Sequence, residues 1–261
     1  MRHSVTLEIC VDSAESAVAA QKGGAHRIEL CTGLVEGGTT PSSGLISTVR
    51  SKVYIPIMVM IRPRGGDFCY DADDFEAMER DVDAAKHLRA DGVVFGILRE
   101  DGQVDVQRTR ELVDRARPLQ VTFHRAFDMS RDLRESLEAM IAARVDRVLT
   151  SGGEQREEDG ASKVKELTKL AAGRIAIMAG GGITESNAHR VIAATGVSEL
   201  HARAVVSVAS PMHHRNDKIS MGSMKGREYQ RVMVTEDKVR RLLEAAMNGG
   251  AHRRDSTVKL A

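Results

Sequence analysis

The chain has 261 residues, 42% of them hydrophobic and 29% charged, with a formal net charge of +1. A near-neutral balance and 3% aromatics without tryptophan exclude a strongly basic or stacking platform for nucleic acid. The longest apolar run, IPIMVMI at 55–61, is far too short to cross a bilayer, so no membrane partner is expected.

The three cysteines, Cys10, Cys31 and Cys69, are too few and odd in number for a secreted disulfide framework. The N-terminal residues show neither a long apolar core nor a small-residue cleavage site. The expected setting is a reducing cytoplasm.

Eight short runs rich in Val, Ile and Leu follow one another: 6–11, 27–31, 55–63, 92–98, 120–127, 147–152, 174–181 and 199–204. Near-continuous apolar character suits parallel strands covered on both faces. Helical stretches separate them. In 71–89, Phe75, Met78, Val82, Ala85 and Leu88 form one stripe at three- and four-residue steps. Asp12 and Glu15 have the spacing of a capping box at the start of the first helix. Strand starts recur at the spacing of one βα unit, and eight units predict a closed (β/α)8 TIM barrel over 1–250, with a doubly wound sheet as the alternative. Residues 205–230 lack clear periodicity and read as a long loop before a final helix near 235–247. Residues 251–261 read as a frayed polar tail.

In such barrels, chemistry sits at the C-terminal ends of the strands. Charged groups inside apolar strands are informative there, because a buried charge needs a partner. Strand alternation puts Glu8 with Cys10, Glu29 with Cys31, and His201 with Arg203 on shared faces. Arg62 and Arg64 close the third strand with Pro63 between them, and His124 lies in the fifth. Glu8, Glu29, Arg62 and His124 are therefore the candidate acid–base or catalytic set. The alternative is a plain ion network in which the two arginines neutralise Glu8 and Glu29. Asp128 reads more simply as a cap. Gly180, Gly181 and Gly182, with Arg203 and Arg64, form a candidate anion site, since phosphate groups often bind after strands seven and eight. A tight turn explains the glycines equally well. Cys10 and Cys31 have matching parity on neighbouring strands, so their thiols can approach, and paired thiolates suit Cu(I). Buried cysteines also serve as small hydrophobes.

Several stretches together resemble the CutC family: EICVDSAESA (8–17), GGAHRIELC (23–31), EGGTTPSSG (36–44), IPIMVMIRPRGGDFCY (55–70), VTFHRAFDM (121–129), RVLTSG (147–152), MAGGGIT (178–184) and SPMHHRN (210–216). RPRGGDF and TFHRAFD are highly specific. The resemblance implies a TIM barrel, a cytoplasmic location, a role in copper homeostasis, and assembly into a dimer or larger homo-oligomer. It also implies a copper, Cu(I), site at Cys10 and Cys31. Ala202 and Arg203 depart from the small or hydroxyl residues usual after His201. Three functions remain open at this point: copper handling, an enzyme acting on a small anionic or phosphorylated metabolite, and a scaffold with an idle pocket.

Overall fold

Eight parallel strands close on themselves in a computed structural model that describes residues 5–221 and 226–247. They are β1 (Thr6–Val11), β2 (Arg27–Leu30), β3 (Ile57–Met60), β4 (Gly92–Phe95), β5 (Gln120–Phe123), β6 (Arg147–Thr150), β7 (Ala176–Gly180) and β8 (Glu199–Ala202). Each pairs with its sequence neighbour, and β8 pairs with β1 to close the barrel. The expected (β/α)8 architecture is therefore what the chain adopts, and the open-sheet alternative is excluded.

The crossovers are α1 (Ala14–Lys22), α2 (Ser43–Arg50), α3 (Ala72–His87), α4 (Val106–Ala116), α5 (Leu133–Ala142), α6 (Glu157–Ala171) and α7 (Ala188–Thr195), followed by α8 (Glu236–Met247). Side-chain oxygens of Ser42, Asp71, Asp105 and Asp132 accept backbone N–H groups at the starts of α2 to α5, satisfying donors that a first helical turn leaves free. Ser13, not Asp12, caps α1, accepting from the Ser16 N–H.

The pleat sorts each strand into two sets. Leu7, Ile9, Ile28, Leu30, Val59, Val93, Phe95, Phe123 and Val148 turn outward into the main core shared with the helices. The inward set is mostly polar, apart from a separate small cluster of Cys10, Cys31, Met58, Met60 and Val94. The barrel interior thus holds charges and sulfur in place of the usual branched aliphatics.

Residues 205–230 correct one expectation. Part of this stretch forms β9 (Val205–Ala209), which pairs antiparallel with β10 (Gln230–Val234) outside the barrel. The Val234 N–H reaches the Ser16 hydroxyl, docking the ribbon onto α1. Some twenty residues separate the strands, so no short turn announces the pairing. The tail 251–261 lies outside the described residues.

Candidate functional site

Period-two alternation carries Glu8, Arg27, Glu29, Glu199 and His201 into the interior. Glu8 is fully buried and ion-paired to Arg27. Its other oxygen meets His201 Nδ1 at 2.7 Å. Arg27 also bonds Glu199, which in turn takes Arg147 from β6, and Arg147 contacts the Thr122 hydroxyl. Two carboxylates and two guanidiniums interleave in this floor of the barrel, so each buried charge has an opposite neighbour.

That floor corrects the expected pairing. The arginines after β3 do not neutralise Glu8 and Glu29. Arg62 is buried, but its guanidinium donates to the backbone carbonyls of Glu36, Gly38 and Gly66 at 2.7–2.8 Å. It clamps two loops together. Arg64 turns away from the barrel mouth and bonds Asp74 at 2.8 Å and Asp67 at 3.1 Å, so its carboxylate partners already occupy the guanidinium expected to bind an anion. Arg27, Arg147 and Glu199 were missed as partners, although two of them share parity with a residue singled out on the same strand: Arg27 with Glu29, Glu199 with His201.

Above the floor lie the thiols. The Sγ atoms of Cys10 and Cys31 are 4.0 Å apart. The Glu29 carboxylate approaches Cys31 Sγ at 3.4 Å and His201 Nε2 at 3.8 Å. Two overlapping donor groups result, Cys10–Glu29–Cys31 and Glu8–Glu29–His201, with ligand atoms mutually within 4.8 Å. Burial raises Glu8, but His201 and Arg27 more than offset it and hold the carboxyl at about 2. The hydrogen bond from Cys31 leads in lowering the Cys10 thiol to about 5, against burial and with help from His201. Cys31 is pushed up by the same bond and by burial. Burial opposes a charge on His201, yet Glu29, Cys10 and Glu8 hold its imidazole well above the ordinary value. Burial raises Glu29 to about 8.

A cavity of about 450 Å³ opens over this layer, in the size range of small-molecule sites. Cys10, Glu29 and His201 form its base, Arg62, Phe68 and His124 one wall, and Gly181, Gly182 and Arg203 another. Glu8, Cys31 and Gly180 do not line it. Gly180 is needed for a different reason: a Cβ there would fall 2.6 Å from Leu149 and 3.2 Å from His201. Gly181 and Gly182 have φ of +110° and +81°, which favour glycine.

His124 sits just past β5, where its Nδ1 accepts the Ala126 N–H at 3.1 Å. Its ring lies 4.9 Å from that of Phe68. Burial, followed by the Arg62 charge, lowers its pKa to about 3, so the imidazole is neutral. The cluster of acids, arginine and histidine expected across strands one to five therefore forms differently: its histidine is His201 on β8, and its arginine is Arg27. Asp128 behaves as a cap. Its carboxylate accepts the Ser151 and Gly153 N–H groups, the Thr150 hydroxyl and Arg125 Nε. Arg125, missed in the sequence, also lines the cavity.

The CutC family model matches residues 5–206, which include all of these site residues. The chain belongs to the CutC family. It is similar to copper homeostasis protein cutC homologs of Mus musculus, 48% identical over 90% of this chain and 87% of the relative, and of Homo sapiens, 47% identical over 93% and 89%. A Chromobacterium violaceum CutC family protein is 46% identical over 92% of this chain and 97% of its own length. Among solved structures, a Streptococcus agalactiae protein described as a CutC copper homeostasis protein superposes with a TM-score of 0.72 at 33% identity, covering 76% of this chain and 97% of that one. A Pyrococcus furiosus thiamine phosphate pyrophosphorylase superposes at 0.57 with 17% identity over 95% of this chain and 99% of that one, a likeness of fold alone. The CutC resemblance carried by RPRGGDF and TFHRAFD thus marks true membership. Among the described residues, no helix is long and apolar enough to cross a membrane.

Proposed function

We propose that this CutC family member serves copper homeostasis by holding Cu(I) between Cys10 and Cys31. The observation carrying this reading is the 4.0 Å separation of the two Sγ atoms. That distance is well beyond the roughly 2.05 Å of a disulfide. It approaches the roughly 4.6 Å spanned by two metal–thiolate bonds of about 2.3 Å. The surroundings fit a soft ion: Met58, Met60 and Val94 pack around the sulfurs, and thiolate with thioether favours Cu(I) over harder cations. The lowered Cys10 thiol supplies a thiolate at neutral pH. His201 stands as the charged neighbour that stabilises it. All three cysteines are free thiols, which agrees with a reducing cytoplasm. The homologs named for copper homeostasis support the cargo. Assembly into a homo-oligomer belongs to the same reading.

Competitive titration with a Cu(I) chelator tests the site. The wild-type chain should bind one Cu(I), and Cys10→Ser/Cys31→Ser should lose more than about a hundredfold in affinity. Equal affinity in both would refute the thiol site.

A further inference from the structure

The cavity contains donors that copper does not use. His124 Nε2 is buried and has no hydrogen-bond partner among the described residues. His124 and Arg62 are both over nine-tenths buried, at 5% and 4% exposure, and both line the cavity wall. A buried polar group without a partner costs free energy comparable to a lost hydrogen bond, so such atoms mark where something else binds.

Their chemistry specifies the ligand. His124 Nδ1 accepts the Ala126 N–H, so the proton of the neutral ring must sit on Nε2, making that atom a donor. The Arg62 guanidinium beside it carries its positive charge under all conditions. Phe68 lies against both groups, 4.9 Å from the His124 ring and 5.0 Å from the Arg62 guanidinium carbon, and fixes them as one unit. Across the cavity, the N–H groups of Gly181 and Gly182 have no hydrogen-bond partner among the described residues. Both have positive φ, a conformation that favours glycine, and so no Cβ stands between these N–H groups and the cavity. Arg203 is exposed at the same rim and makes no ion pair among the described residues. The opposite walls therefore offer donors, and an acceptor-rich ligand satisfies both.

We propose that the barrel mouth binds a small organic oxyanion, a carboxylate or phosphate ester, whose oxygens accept from His124 Nε2 beside the Arg62 charge on one side and from Gly181 and Gly182 beside Arg203 on the other. This site stands apart from the copper reading, since none of these donors is a sulfur. Gly96 is built to serve it: a Cβ there would lie 2.6 Å from the His124 ring, so only glycine lets the imidazole take this position.

Nitrogen-15 NMR of histidine- and glycine-labelled, reduced, metal-free chain tests the proposal with 2-phosphoglycolate, inorganic phosphate and glycolate as probes. Metal-free conditions keep the result independent of whether copper binds. The expected outcome is an Nε2-protonated His124, with saturable shifts of its ring and of the Gly181 and Gly182 amides on adding phosphoglycolate. Inorganic phosphate shifting the same signals assigns a phosphate group, and glycolate alone doing so assigns a carboxylate. His124→Leu should weaken binding by about tenfold or more, while His124→Gln, which keeps a donor, restores most of it. Arg64→Ala, outside the cavity, should leave affinity within about twofold. The proposal is overturned if none of the three anions moves these signals, or if folded His124→Leu binds as wild type does.

Discussion

His201 Nδ1 lies 2.7 Å from Glu8 Oε1, joining the last barrel strand to the first across 193 residues of sequence. The contact orients the imidazole so that Nε2 faces Glu29 and the thiol layer. It also makes Glu8 answer to two cations, Arg27 and His201.

Removing that carboxylate should therefore be costly. Glu8→Gln leaves Arg27 with Glu199 alone and takes from His201 one of the anions that face it. Breaking a buried pair from one side typically costs about 3 kcal/mol or more. Urea unfolding at pH 7 should show a loss of that size, and the His201 imidazole should titrate at lower pH than in the wild type. A loss below about 1 kcal/mol would mean the floor network rearranges freely.

Gly96→Ala should displace His124 without touching any charge. The added Cβ would meet the ring at 2.6 Å and Ala126 Cβ at 2.8 Å. Overpacking of this kind costs about 1–3 kcal/mol. Thermal unfolding should register that cost, and a crystal structure of the variant should show the imidazole rotated or shifted. An unmoved ring with wild-type stability would contradict the close approach.

Acid sensitivity should trace to the same histidine. Folded His124 titrates at about 3 against the ordinary 6.5. The unfolded chain takes up a proton throughout that interval while the folded chain does not. Stability is therefore whole above about pH 6.5 and falls as pH drops, by up to about 1.4 kcal/mol per unit. Between pH 7 and 4 the wild type should lose roughly 3 kcal/mol more than His124→Gln. Parallel pH profiles for the two proteins would rule out His124 as the cause.

Asp128→Asn should loosen the end of β6. The carboxylate accepts from the Ser151 and Gly153 backbone and from Arg125, at 2.7–3.0 Å. An amide replaces one acceptor with a donor facing those donors, for a cost of about 2 kcal/mol. Hydrogen exchange at Ser151 and Gly153 should quicken. Unchanged protection at both amides would show that water replaces the lost acceptor without penalty.

The barrel was legible because each strand is an unbroken apolar run between polar turns. β1 was placed at its observed limits, 6–11. The others overran at their C-terminal ends, where Arg62, His124 and Arg203 keep the inward alternation after ladder pairing stops. Parity also located Glu8, Glu29, Cys10 and Cys31. It failed on partners, because parity says which face a side chain takes but not which charge waits across a closed barrel. Only three-dimensional closure sets Arg27 and Glu199 together from β2 and β8. The unpartnered state of His124 Nε2 was likewise invisible, since it depends on the Ala126 amide occupying the other ring nitrogen.

The order in which the chain leaves the ribosome separates the two halves of the thiol layer. Cys10 and Cys31 belong to adjacent early strands and can meet while synthesis continues. His201 arrives only with the eighth strand. A nascent chain thus carries both sulfurs, and the Cys31 hydrogen bond that leads in lowering Cys10, before the imidazole that adds to this effect is present. The full electrostatic setting of the thiol pair is in this sense a property that the protein acquires last, and a chain truncated before residue 199 should carry the thiols without the His201 charge.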